Sequence, residues 1–551
     1  MLIRRPTVLA GVLLVAATLT APVDAAPEGA AATDQAPAGH APADTGLAGA
    51  TPARAVPAVL PLGPRDLPET RTTETLQLGV TLTTIVRGAE DPAQAWTVEV
   101  AVPGGSGSPD PDAPPTAVAG RARADRLAAA LRTGGFTPRV EEVTTPPAAD
   151  HPGGPLGFRV RVGRHDDRSA AEAERARVRA AGHTASTVFT GWDGAATDRG
   201  PWVVRVLTVD PRTFRGALAG DFGPDLERRE RTGALAAARG ATAAVNGGFF
   251  VLDPAAGAPG DPAGLGVYDG RVLSESVGGR PSLLFSADAR RAAVARPTWS
   301  GSVVGGGTVL PLDGVNRVPG LIRNCGGTGD VPTDLPRHDT TCTDQGELVA
   351  FTPEFGAATP SGEGAEVVLD ARDRVVEVRS PRGGTLPPGG RSVQGTGARA
   401  AELAELAEES QKLTIRSRVR GPRADFVVNG GPELVRDGRR HATPAADGMI
   451  RPGDPSFTYG WVTRRNPRTL AGVDARGRIL LATADGRATA SLGLSIAEAA
   501  AVAQALGMRD AVNLDGGGST TMVAGDRVIN APSDAAGERP VGDAILVLPE
   551  R

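Results

Sequence analysis

The residues best suited by type and spacing to do chemistry form one stretch near the C-terminus: Asn513-Leu514-Asp515-Gly516-Gly517-Gly518-Ser519-Thr520-Thr521-Met522. Three glycines stand between a carboxylate and three hydroxyls, directly after the short apolar run Asp510-Ala511-Val512. Glycine admits positive φ and lets the backbone approach a ligand closely, and successive turn amides form a concave nest that attracts anions. A phosphate or an anomeric oxygen is its natural guest. Two earlier stretches share the pattern of an apolar strand ending in an Asn-Gly-Gly turn. One is Ala243-Ala244-Val245-Asn246-Gly247-Gly248-Phe249-Phe250, the other Phe426-Val427-Val428-Asn429-Gly430-Gly431-Pro432. Strand ends of this kind are where sites are built, because the scaffold is rigid and the turn leaves polar groups available. The three turns are expected to converge on one pocket, with Asn246, Gly247, Gly248, Asn429, Gly430, Gly431, Asn513, Gly516, Gly517, Gly518, Ser519 and Thr520 contacting substrate or phosphate.

A fourth element, Arg464-Arg465-Asn466-Pro467-Arg468-Thr469-Leu470-Ala471-Gly472-Val473-Asp474, feeds a polar turn into a strand. Arginine grips phosphate through two parallel hydrogen bonds, and Arg468 is the expected phosphate ligand, with Thr469 beside it. Arg464 and Arg465 read as solvated. Ser519 as the nucleophile of a Ser-His-Asp triad is disfavoured: the chain has six histidines and none lies in the four motifs, so His338 and His441 would have to reach the site through loops. No spacing marks a dedicated metal site, and no cofactor is expected. The loop carboxylates Asp253, Asp261 and Asp344 leave room for a divalent cation such as calcium.

Asn246-Gly247-Gly248-Phe249-Phe250, Asn429-Gly430-Gly431, Asn466-Pro467-Arg468-Thr469 and the stretch from Asn513 to Met522 together resemble the phosphodiester glycosidase family, whose best-known member is the lysosomal uncovering enzyme. The resemblance spans about 350 residues, from 200 to 551. It implies hydrolysis of a sugar-1-phosphodiester such as an N-acetylglucosamine-1-phosphodiester, and so a phosphodiester-linked glycan as substrate. Glycoside cleavage commonly uses two carboxyl groups. Asp515 is the first candidate, with Asp485, Glu354 and Asp370 as partners that the residues do not rank. A phosphate leaving group needs less protonation than a sugar alkoxide, so a single acid can suffice. The reading from a different class is a wall protein that binds glycan phosphate without turnover.

The elements that must hold these residues belong to a mixed chain, α/β to α+β: a small β-α-β-β-α-β domain, then a larger mixed-sheet domain with helices. Between residues 93 and 190, strand-like alternation in Trp96–Val102, Phe136–Val143, Phe158–Gly163 and Thr184–Phe189 frames helical spacing in Arg121–Leu131 and Ser169–Ala181. The strand Arg159-Val160-Arg161-Val162-Gly163, its following helix and Ala180-Ala181-Gly182-His183 resemble the second half of a sporulation-related repeat (SPOR) domain, which implies binding to peptidoglycan glycan strands. In the larger domain, 200–551, one helix is well marked. Ser495 and Glu498 make a capping box, Ile496, Ala500, Ala503 and Leu506 recur at helical spacing, and Gly507 stops it. It delivers the chain to the glycine stretch. Loop-rich segments near 251–280 and 311–346 are expected to set specificity.

The N-terminus reads as an export signal over 1–25, with Arg4-Arg5, an apolar core from Val8 to Leu19 and small residues at Val23-Asp24-Ala25. That core falls short of the roughly 20 residues that span a bilayer. A secreted or wall-associated protein is expected, with no membrane span after cleavage. Residues 26–92 are rich in Ala, Pro, Gly and Thr and read as a linker, although weak alternation from Leu76 to Val86 suggests a strand belonging to the domain downstream. Cys325 and Cys342 are the only cysteines. In an exported chain they are expected to pair, for a gain of roughly 3 kcal/mol. A net charge of −4 gives no case for nucleic acid as a partner.

Overall fold

The computed structural model describes residues 59–103, 116–254, 257–323, 331 and 341–550, and residues 57–551 form one compact unit. The architecture is α+β, dominated by antiparallel sheet. The small domain has the expected order: β3 (Trp96–Val100), α1 (Arg121–Thr133), β4 (Pro138–Thr145), β5 (Gly154–His165), α2 (Arg168–Ala180) and β6 (Ala185–Phe189). Its sheet runs β4-β5-β3-β6. Helix α1 buries Ala124, Leu127, Ala128 and Leu131, at helical spacing, against Val98, Val100, Val160 and Val162 of the sheet. Asp167 caps α2 by accepting from Ala170 N at 2.8 Å.

Part of the segment read as linker is folded. Strands β1 (Glu69–Gln77) and β2 (Val80–Arg87) form a hairpin that adds to β7 (Trp202–Val209), in register from Val80 opposite Val209 to Arg87 opposite Trp202. The alternation of β2 buries Val80, Leu82 and Ile85, and Thr residues occupy the half-exposed side, so a polar composition hides a one-sided strand. These strands edge an eight-stranded antiparallel sheet that continues from β7 through Ile479–Ala484, Arg468–Asp474, Met508–Asn513, Glu433–Arg436 and Arg439–Arg440.

Two five-stranded sheets complete the large domain's centre. One holds Ala243–Asn246 between Met522–Ala524 and Ala544–Leu548. The other holds Phe426–Asn429 between Gly266–Tyr268 and Ser282–Phe285. Residues 298–420 are inserted between Ala292–Ala295 and Phe426–Asn429. They carry their own sheets and the helix Gly397–Glu409, packed on a separate core around Leu348, Val367, Val393, Leu403 and Leu406. Within this insertion Cys342 is buried on a short strand paired with Ile322–Arg323. Its expected partner Cys325, His338 and residues 1–25 lie outside the described residues.

Candidate functional site: a basic pocket at the junction of three sheets

Each Asn-Gly turn ends a strand of a different sheet, and the three turns meet. Asn246 is fully buried. Its Oδ1 accepts from Thr469 Oγ1 at 2.7 Å and Thr521 N at 3.1 Å, while its Nδ2 donates to Asp515 O at 2.8 Å. Asn429 pairs with the backbone of Phe249 in both directions, Oδ1 accepting at 3.1 Å and Nδ2 donating at 3.0 Å. Asn513 Nδ2 donates to Gly431 O at 3.0 Å and Leu514 O at 2.7 Å. Direct backbone bonds add to the clasp, from Asp515 N to Gly247 O and from Gly431 N to Asn513 O. A side chain at Gly248 would come within 2.6 Å of Asn429 Nδ2, so glycine is required for the approach. Asn246 and Asn429, expected to contact substrate, have both ends of their amide groups committed to the protein. They hold the turns together.

The glycine stretch also differs from a free nest. Gly517 takes φ of +59° and opens a short 3-10 turn, Gly517–Ser519. Its own geometry uses the amides: Gly516 N donates to Asp515 Oδ1, Gly517 N to Pro467 O, Ser519 N to Gly516 O and Thr520 N to Gly517 O. Ser519 and Thr520 are buried. The stretch supplies a narrow wall, and the anion-attracting groups come from elsewhere.

They come from the arginines. A cavity of about 400 Å³ is lined by Arg464, Arg468, Arg487, Asn513, Gly516 and Gly517, together with Trp192, Phe249, Trp461 and Ser533, and by Arg168 and Thr187 from the small domain. No carboxylate is among its lining residues. Arg468 is 3% exposed. It donates from Nε to Leu494 O at 3.0 Å and from Nη2 to Trp461 O at 2.7 Å, and it takes part in no ion pair among the described residues. Burial, with a smaller contribution from the Arg487 charge, pulls its pKa down to about 9. A buried cation in this state gains most from an anion brought to it. Three hydroxyl or carbonyl oxygens around the cavity, Asn513 Oδ1, Ser533 Oγ and Thr187 Oγ1, are buried without a hydrogen-bond partner among the described residues.

Arg464 and Arg465, read as solvated, are not. Arg464 lines the cavity with its guanidinium 5.6 Å from the Trp192 ring. Arg465 is fully buried, paired with Asp198 and, at 2.6 Å, with Glu498 of the capped helix. Proximity of a charge to aromatic and carboxylate partners distant in the chain carries no local signature, which is why the run looked like surface.

Asp515 is half-buried between the lining residues Asn513 and Gly516, and accepts from Gly516 N at 2.9 Å. The three carboxylates named beside it are not among the residues that line the pocket. Asp485 Oδ2 pairs with Arg205 at 2.6 Å and its Oδ1 accepts from Ala531 N. Glu354 pairs with Arg271. Burial would raise its pKa, but hydrogen bonds led by Thr352 outweigh that and leave it below the ordinary value. Asp370 caps its own turn against Arg374. Sequence reasoning missed Asp543, whose buried carboxyl accepts from Gly248 N at 2.8 Å and Tyr268 OH at 2.7 Å and so fixes the first turn. It also missed Arg487, marked only by a positive φ of 56°. Among the described residues no group of three or more His, Cys, Asp or Glu is placed to hold a metal. Asp344 accepts from Gly346 N, while Asp261 is buried with burial pushing its pKa up.

The fold and pocket define a two-part protein, a small domain packed against a larger one that carries most of a basic pocket. A phosphodiester glycosidase family model matches residues 363–548 and a SPOR-domain model matches residues 116–189. A candidate exported protein from Burkholderia pseudomallei K96243 aligns with a TM-score of 0.78 at 35% identity, over 89% of this chain and 98% of that one. A hypothetical protein from Synechocystis aligns with a TM-score of 0.50 at 17% identity, over 87% and 76%. The catalytic domain of zebrafish N-acetylglucosamine-1-phosphodiester α-N-acetylglucosaminidase, auto-inhibited by its pro-peptide, gives 0.33 at 13% identity, over 83% and 89%. No curated protein sequence matches. The chain belongs to the phosphodiester glycosidase family and carries a SPOR domain ahead of that unit.

Proposed function

We propose that the chain hydrolyses a sugar-1-phosphodiester of the N-acetylglucosamine-1-phosphodiester type. The observation that carries this reading is Arg468, a buried guanidinium without an ion-pair partner among the described residues, facing a pocket walled by Arg464, Arg487 and the Gly516–Gly517 turn. The phosphodiester's charge satisfies these arginines, and that charge grows as the bond to the anomeric carbon breaks. Water's oxygen attaches to the anomeric carbon, the C1–O electron pair departs with the phosphate, and the proton is lost to Asp515 or solvent. Free sugar and a phosphomonoester result. Asp515 is the carboxylate assigned to the anomeric centre. The SPOR domain accounts for retention at the cell wall on peptidoglycan strands, and residues 1–25 for export.

Because no carboxylate lines the pocket itself, a glycan-phosphate receptor without turnover is the second reading. Incubating the mature protein with UDP-N-acetylglucosamine or the methyl phosphodiester of N-acetylglucosamine-1-phosphate decides between them. The wild type should release free sugar and Asp515→Ala should not. Folded protein that binds these compounds but releases no sugar over a broad panel establishes the receptor instead. For the wall, the full chain should co-sediment with insoluble peptidoglycan. Equal retention of an unrelated acidic protein removes that part of the proposal.

A further inference from the structure

The strand Thr414–Arg420 forms one edge of a three-stranded sheet, beside Thr298–Gly305. Its alternation packs Ile415 on the core of the insertion and Val419 on the cluster around Leu284 and Val427. The opposite face is left with Arg416, Arg418 and Arg420, all exposed. The register sets Ser302, Ser300 and Thr298 directly beside them. Guanidiniums two residues apart on a strand are spaced by about 6.8 Å. Just past Arg420, Pro422 and Arg423 line a cavity of about 410 Å³, together with Leu284, Arg290 and Arg291. No carboxylate is among its lining residues. Of these six arginines only Arg290 takes part in an ion pair among the described residues, with the exposed Asp288 at 3.9 Å. The strip is thus strongly cationic in a chain whose net charge is −4.

We infer that this strip is a docking surface for a linear polyol-phosphate polymer of the cell envelope, which lies along the strand and enters the cavity between Arg290 and Arg423. None of its residues lines the basic pocket, so the inference does not rest on the hydrolase reading. Charge on an edge strand discourages edge-to-edge pairing, but a mixture of signs would serve that end. A row of one sign adds repulsion between neighbours closer than the Debye length of about 8 Å, and a polyanion relieves it. Arginine is the side chain that grips phosphate in a fixed two-bond geometry. The flanking serine and threonine hydroxyls can donate to or accept from a hydroxyl-bearing repeat. A single-stranded nucleic acid also repeats phosphate, but such strands are held by aromatic faces on which the bases stack. The strip offers none among the described residues: Trp299 alternates to the opposite face and packs on the insertion's core.

Calorimetric titration of the full chain with lipid-free poly(glycerol phosphate) tests it. The wild type should bind the polymer. Two triple variants should each bind at least about tenfold more weakly: Arg416→Ser with Arg418→Ser and Arg420→Ser, and Arg290→Gln with Arg291→Gln and Arg423→Gln. Both should melt with the wild type, because every substituted side chain is exposed. The slope of log K against log salt should fall by roughly one for each phosphate contact removed. R468Q, altered in the basic pocket, should bind the polymer as the wild type does. No binding by the wild type, or undiminished binding by either triple variant, overturns the inference. So does an equal loss on replacing Arg132, Arg179 and Arg527, exposed elsewhere, since net charge alone would then explain the binding. Loss in R468Q would place the polymer in the basic pocket and overturn it as well. Oligothymidylate of equal phosphate number should bind more weakly than the polymer. Tighter binding of the oligonucleotide, lost in the same variants, would assign the strip to nucleic acid instead.

Discussion

Arg468 concentrates the electrostatics of the pocket in one side chain. Carbonyl oxygens of Leu494 and Trp461 fix its guanidinium, and they orient the charge without neutralising it. Replacing it with glutamine removes the buried cation while keeping a polar group of similar reach. R468Q is expected to fold, and to lose about 100-fold in kcat/KM on a sugar-1-phosphodiester, the scale of one transition-state donor, roughly 2.7 kcal/mol. Inorganic phosphate offers a check independent of turnover. It should raise the melting temperature of the wild type, since a ligand that binds only the native state stabilises it. R468Q should show no such shift. An equal shift in both proteins would place the phosphate somewhere other than this pocket.

At the scale of elements, three strand ends from three sheets are tied by asparagine amides, and Asn246 makes the most connections. Asn246→Ala leaves Thr469 Oγ1, Thr521 N and Asp515 O without their partner. Buried groups left unsatisfied cost about 1–3 kcal/mol each. The variant should melt well below the wild type and lose activity together with stability; loss of activity at unchanged stability would instead mark Asn246 as a substrate contact. The convergence was legible in the sequence because each turn repeats strand, Asn and Gly. What those asparagines bind was not, because a side-chain partner far away in the chain, as with Asn246 and Thr469, has no local pattern. The helices and strands of the small domain and the Ser495–Glu498 capping box were legible for the opposite reason, since periodicity and capping are local. Asp193 shows the same limit from another side. It lies in the short turn after β6, and it pairs with Arg161 at 2.6 Å and with Arg159 at 2.8 Å. Burial would raise its pKa, but Arg161 and Arg159 outweigh burial and hold it at about 2, below the ordinary 3.8. The pairing therefore stabilises the fold in full above about pH 4 and is lost as pH falls toward 2, a contribution on the order of 2 kcal/mol. Asp193→Asn should lower the melting temperature at pH 7, and the gap to wild type should close between pH 4 and 2. A gap independent of pH would refute this.

At the scale of the molecule, the two family resemblances implied a small wall-binding domain carried beside a hydrolase domain, and the packing shows that the two domains share a core. Helices cover one face of the β4-β5-β3-β6 sheet, while the other face lies on residues 455–464 of the large domain. There Val118 exchanges hydrogen bonds with Ser456 Oγ, Arg159 donates to Tyr459 OH at 2.8 Å, and Thr145 and Thr463 hydroxyls meet at 2.9 Å. Trp96, Ala171, Val188 and Phe189 of the small domain belong to the same buried cluster as Leu434, Leu480 and Leu494 of the large one. The Arg465 backbone N–H donates to Trp192 O, so the turn that leads into the strand beginning at Arg468 is fastened to the end of the small domain. Domains joined by a flexible linker and a small polar interface unfold separately, whereas a continuous apolar core couples them. Calorimetry on residues 59–551 should accordingly give a single transition covering both parts, with the calorimetric enthalpy close to the van't Hoff value. Phosphate should shift that whole transition. Two resolved peaks, with phosphate moving only the one that belongs to residues 200–551, would make the small domain an independent tether. Its contribution to the pocket through Arg168 and Thr187 would then be incidental to catalysis.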